Sequence, residues 1–118
     1  MLGLENHGGV TEKASTLVGI VKELNSSWVG INLDTGNFQR NAYAQIESCI
    51  PYAVNVQFKT EIRDETGKLE RADWTKLVGM LAQSGYRGYL ALEYEEKENA
   101  IERVPVLTRE LNRLAKRV

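Results

Sequence analysis

The stretch Gly30-Ile-Asn-Leu-Asp-Thr-Gly-Asn37 decides how the chain folds. In an extended segment, alternate side chains point to opposite faces. Val29, Ile31 and Leu33 then share one face, and Gly30, Asn32 and Asp34 share the other. The first face is aliphatic. The second is small, then polar, and ends on an acid just before a Thr-Gly-Asn turn. The same pattern recurs at three other places. In Leu2–Glu5, Leu2 and Leu4 oppose Gly3 and Glu5. In Tyr52–Phe58, Val54, Val56 and Phe58 oppose Ala53, Asn55 and Gln57. In Tyr89–Glu93, Leu90 and Leu92 oppose Tyr89, Ala91 and Glu93. An acid or amide thus stands at or near the C-terminal end of each strand, always opposite the aliphatic residues.

Helical patterns separate these strands. Thr11 is the expected N-cap of the first helix, with Glu12 in its first turn and Leu17, Ile20, Val21 and Leu24 on one face. The second covers Ala42–Ile50, with Tyr43, Ile46 and Ile50 aligned, and Pro51 stops it. A polar loop, Thr60–Ala72, carries the turn signal Glu65-Thr66-Gly67-Lys68. Asp73 caps the third helix, whose face is Trp74, Leu77, Val78 and Leu81 and whose C′ residue is Gly85. The last helix lies within Asn99–Val118, with Leu107, Leu111, Leu114 and Val118 in line, and Pro105 opens or kinks it.

Four βα units in succession predict a mainly parallel sheet with outer crossover helices. A doubly wound sheet buries both faces and shows apolar residues on both. A barrel interior is instead polar at its C-terminal mouth. The parity therefore predicts the (βα)4 half of a TIM-type barrel as a single domain over residues 1–118, since a full barrel needs about 250 residues. Four strands leave two open sheet edges. A homodimer, or a missing N-terminal half-barrel, is expected to close them.

Composition narrows the function classes. The 118 residues carry 15 Lys and Arg against 16 Asp and Glu, a net charge of −1, which lacks the basic field a nucleic-acid or anionic-membrane binder needs. No segment approaches the roughly 20 apolar residues of a membrane span, and the first residues lack the pattern of a signal peptide. Cys49 is the one cysteine. It fits a reducing, cytoplasmic setting and reads as a small buried hydrophobe. Glycine-rich phosphate loops are absent from the sequence, so a nucleotide cofactor has no support.

Glu5, Asp34, Gln57 and Glu93 should converge at the mouth of the barrel. Three carboxylates and an amide oxygen form a hard donor set suited to a divalent cation, which would also relieve their mutual repulsion. Mn²⁺ or Mg²⁺ is favoured and Co²⁺ is admissible, whereas Zn²⁺ is disfavoured without imidazole. Asn32 and Asn55, one layer below, would orient the carboxylates.

The segments LGLENHGG, GINLDTGN, YAVNVQFK and GYLALEYE resemble, in order, the last four strand ends of the xylose-isomerase-like TIM barrels. The resemblance covers essentially the whole chain and the C-terminal half of the family's barrel. It implies a metal held at Glu5, Asp34, Gln57 and Glu93, with Gln57 standing where the family has His. It implies a sugar or sugar-phosphate isomerase or epimerase, in which Glu5 and Glu93 act as acid and base on a metal-stabilised enediolate. It places a substrate-binding arginine at Arg63, by spacing alone, and sets Asn37 where a histidine often follows the aspartate. His7 and Lys59 are further substrate-binding candidates; Lys59 could equally pair with Glu93 or Asp34. A non-catalytic half-barrel that still binds metal is the second reading. An endonuclease IV-like phosphodiesterase is a weaker third, at odds with the net charge and with the lack of histidines. Trp28 and Trp74 are expected to pack. Beyond Glu93 the acidic run to Glu98 is expected to be a solvated loop, and the cations from Arg109 to Arg117 to face solvent.

Overall fold

The computed structural model describes residues 1–116; Arg117 and Val118 lie outside the described residues. Four strands, β1 (Leu2–Glu5), β2 (Val29–Asp34), β3 (Ala53–Phe58) and β6 (Tyr89–Leu92), form one parallel sheet in chain order. Helices α1 (Ala14–Leu24), α2 (Ala42–Cys49), α3 (Trp74–Gln83) and α4 (Ala100–Ala115) pack on one side of it. Ile31, Leu33, Val56 and Phe58 are fully buried beneath Leu17, Ile46, Leu77 and Leu107. The aliphatic face is thus the helix-facing one, as an α/β half-barrel requires. Glu93 N–H donates to Phe58 C=O at 2.9 Å and carries the last ladder one residue beyond β6.

One strand departs from simple alternation. The β2–β3 register runs Ile31↔Ala53 and then Asn32↔Asn55, so β3 bulges by one residue at Val54. The bulge turns Ala53 toward the helices and swings Val54 to the inner face. There it lies against Gly3 and Gly30: a Cβ on Gly30 would come 2.3 Å from Val54 Cγ1 and 2.9 Å from Tyr52 C=O. The expected pairing of Val54 with the aliphatic face is therefore corrected. From Asn55 onward parity is restored, and the mouth residues keep their faces.

The loop expected over Thr60–Ala72 contains a two-stranded antiparallel hairpin, β4 (Glu61–Arg63) and β5 (Leu69–Arg71). Asp64 Oδ1 builds its turn, accepting from Thr66 N–H at 2.8 Å and Lys68 N–H at 2.9 Å, and Gly67 takes φ 90°. Ile62 anchors the hairpin in the core.

Helix boundaries also shift. Thr11 does not cap α1. Gly8 and Gly9 turn the chain at φ 76° and 55°, and the Thr11 hydroxyl is used on Gly8 C=O within a 3-10 turn. α1 starts at Ala14, whose N–H is taken by Gln45 Oε1 from α2. Leu24, at the far end of its stripe, is exposed. Pro51 does not simply stop α2 but continues it into a 3-10 turn, Ile50–Tyr52. Asp73 caps α3, accepting from Lys76 N–H at 3.0 Å, and Gly85 follows with φ 75°. Asn99 caps α4 through Ile101 N–H, six residues before Pro105. Pro105 is therefore interior, and it deprives the Ile101 carbonyl of its helical partner. Trp74 packs edge-on to Phe58, but Trp28 is exposed, contrary to expectation.

Candidate metal and acid–base centre

Three strand ends bring Glu5, Asp34 and Glu93 together: each offers a carboxylate oxygen, all within 4.8 Å of one another. Asp34 is the fixed point. Its carboxylate is fully buried, and its Oδ1 accepts from Gly36 N–H at 2.7 Å and Asn37 N–H at 2.9 Å. Its Oδ2 is buried and makes no hydrogen bond. Burial pushes Asp34 up to about 7; the Gly36 N–H and the Lys59 ammonium work against the rise, and Glu93 adds to it.

The flanking acids are held less tightly. Glu5 accepts from Asn32 Nδ2 and Asn37 Nδ2, both at 3.3 Å. Glu93 accepts from Gln57 Nε2. Asn55 Nδ2 donates to Asn32 Oδ1 at 2.7 Å, and Asn32 donates on to Gln57 Oε1. The two asparagines below the mouth thus orient Glu5 directly and Glu93 through Gln57. Gln57 reaches the cluster with its amide nitrogen toward Glu93 and its oxygen toward Asn32.

Lys59 stands over the cluster. Its ammonium is 3.5 Å from Asp34 Oδ2, 3.5 Å from Glu93 Oε1 and 2.6 Å from Glu95 Oε2. Burial works against this ammonium, but Glu95, Asp34 and Glu93 outweigh it and hold its pKa above the usual lysine value. Glu95 is therefore part of the mouth rather than of a purely solvated run. Arg63 Nη1 donates to Gly67 C=O at 3.0 Å, and Arg63 lines a cleft of about 280 Å³ together with Lys59, Asn37 and Glu93. His7 is exposed above β1, and its backbone N–H donates to Thr11 Oγ1.

Sequence reasoning missed Asn6. It is buried and clasps the backbone of Asp34 from both sides: Nδ2 donates to Asp34 C=O and Oδ1 accepts from Asp34 N–H, each at 2.8 Å. It stands next to Glu5, but its partner is 28 residues away, and no local pattern marks such a bond.

The donor set fits a divalent cation. It consists of hard oxygens, they converge, and one of them is a buried oxygen that accepts no hydrogen bond. The comparisons agree with the architecture. The family model described as xylose isomerase-like TIM barrel matches residues 1–116. The chain belongs to that family. No curated protein matches it. Among solved structures, a xylose isomerase domain protein from Planctomyces limnophilus superposes with a TM-score of 0.72 at 20% identity. The match covers 98% of this chain and 45% of that one, so the chain spans less than half the length of this neighbour. Among the described residues, no helix is long and apolar enough to cross a membrane.

Proposed function

We propose that this chain carries the metal and proton-transfer half of an isomerase or epimerase acting on a small sugar or sugar phosphate. The observation behind this is the convergence of Glu5, Asp34 and Glu93 around Asp34 Oδ2, which accepts no hydrogen bond. Those three residues would hold a divalent cation, Mn²⁺ or Mg²⁺, with Gln57 as the fourth candidate. When bound, such a cation supplies positive charge that polarises neighbouring substrate oxygens and makes an adjacent C–H more acidic.

The rest is done by the chain itself. Glu5 and Glu93 end the two outermost strands of the sheet, so they flank Asp34 from opposite sides. One takes the proton from the substrate carbon and the other returns it, in keeping with two carboxylates placed on either side of Asp34. Asn37, Arg63 and His7 border the approach and are the candidates for gripping hydroxyl or phosphate oxygens. Mn²⁺ titration of the purified chain tests the site, and sugar isomerisation followed by NMR tests the chemistry. Saturable Mn²⁺ binding lost in Asp34→Asn, and turnover lost in the Glu5→Gln/Glu93→Gln double variant, are expected. Full turnover by that double variant would sink the assignment.

The open inner face favours a second element in the reading. A parallel sheet with β1 and β6 both unpaired at its edges needs four more βα units to close a barrel. We assign that role to a second copy of this chain, with β6 of each copy beside β1 of the other; a separate N-terminal half-barrel is the alternative. A chain that binds metal yet turns nothing over, even as a dimer, would be a non-catalytic half-barrel.

A further inference from the structure

Lys59 follows Gln57 by two residues along the extended chain beyond β3 and so points to the same side, over the cluster. Its stem passes beside Gly36, where a Cβ would stand 2.8 Å from Lys59 Cδ and 2.9 Å from Lys59 Cβ. The bare glycine leaves the lane that the lysine occupies. The backbone on either side is fixed as well: Lys59 N–H donates to the buried Thr35 hydroxyl at 3.0 Å, and Trp74 Nε1 donates to Lys59 C=O at 2.8 Å.

The ammonium itself is held from outside. It lies 3.5 Å from both Asp34 Oδ2 and Glu93 Oε1, but its hydrogen bonds go to Glu95 Oε2 at 2.6 Å and Asn37 Oδ1 at 3.1 Å. Asp34 Oδ2 receives charge from it and no hydrogen bond. The Lys59 side chain is 12% exposed, whereas that of Glu95 is 62% exposed, so its strongest partner stands at the rim.

We propose that Lys59 is a resident counter-cation that yields to the metal. It offsets the charge of Asp34 and Glu93 while the cluster holds no cation, and it moves outward with Glu95 when a divalent ion takes over that charge. The inference rests on the metal-binding reading above. An ammonium 3.5 Å from two would-be ligands competes with any incoming cation for the same field. Its departure breaks no hydrogen bond to Asp34, and the rim glutamate can travel with it. Once displaced, the ammonium faces the cleft it shares with Arg63, where it serves as a donor to a substrate oxygen.

Calorimetric Mn²⁺ titration of the full chain compares wild type with Lys59→Met, Lys59→Gln and Lys59→Arg, alongside urea unfolding in excess chelator. The neutral variants should bind Mn²⁺ about ten-fold tighter or more, and Lys59→Arg should stay near wild type. In chelator the neutral variants should unfold at lower urea than wild type, with Mn²⁺ restoring them. Binding by the neutral variants where wild type shows none would also support the proposal. Equal or weaker Mn²⁺ binding by both neutral variants, with wild type binding normally, overturns the counter-cation role and leaves the metal reading intact. No binding by any of the four chains overturns the metal reading itself, and the displacement step with it. The chelator unfolding curves show which variants are folded, and Lys59→Gln serves if Lys59→Met is not.

Discussion

Asp34 shows how one carboxylate can be both anchored and unsatisfied. Two backbone N–H groups fix its Oδ1, while burial leaves Oδ2 facing the other acids. Its folded value of about 7 lies above the ordinary 3.8. An acid raised in this way costs stability as pH climbs from the unfolded value through the folded one. In chelator, the wild-type chain should therefore lose stability between about pH 4 and pH 7 and level off above that, and Asp34→Asn should flatten the curve. Urea midpoints at pH 5 and pH 8 check this; a wild-type midpoint that rises with pH would contradict it. Cys49 carries a different signature. Burial pushes its thiol up to about 11. Alkylation at pH 8 should be very slow in the native chain and rapid in denaturant, as mass spectrometry would read. The parity of the strands made the placement of Glu5, Asp34, Gln57 and Glu93 legible in the sequence, because side chains alternate locally. Asn6 and Glu95 were not legible. Their partners, Asp34 and Lys59, lie 28 and 36 residues away, and only the folded sheet brings them near.

At the scale of elements, the apolar stripes were mostly readable and the caps only in part. Asp73 caps α3 as expected, while the expected Thr11 cap failed and the Asn99 cap of α4 was not foreseen; Trp74, Leu77, Val78 and Leu81 form the buried face of α3. Asp73→Ala should cost about 1 kcal/mol in urea unfolding. The bulge at Val54 was hidden because it depends on how β3 meets β2, not on β3 alone. It makes Gly30 indispensable: the added methyl of Gly30→Ala would meet Val54 and the Tyr52 carbonyl, and should destabilise by about 1–3 kcal/mol. The β4–β5 hairpin was hidden for a simpler reason. Its strands have three residues each, mostly polar, and such segments carry no periodicity. The hairpin nevertheless matters to the site, since it carries Arg63 to the cleft.

Across the whole molecule, the sheet is a half ring. The inner face carries Gly3, Asn32, Asn55 and Tyr89, with no element packed opposite it among the described residues, and Leu2, Trp28 and Tyr89 are exposed at 71%, 70% and 83%. Leu2 starts an edge strand, and Ile101 and Val106 of α4 are exposed. Edge pairing between two copies would remove both open edges. Light scattering at micromolar concentration should accordingly give twice the chain mass, and a stable monomer would count against the second copy. A dimer would set two acidic clusters around one mouth, so its dissociation constant should fall when Mn²⁺ is added.

The sequence by itself determined the order of the four βα units, which face of each strand meets the helices near the mouth, and which four residues end there. These follow from side-chain alternation and helical spacing, which are local properties of the chain. Tertiary structure decided the rest: the inward turn of Val54, the clasp of Asn6 on Asp34, the reach of Glu95 to Lys59, and the buried Asp34 oxygen at the centre that accepts no hydrogen bond. Each of these depends on register and distance between segments far apart in the chain, and packing alone sets those.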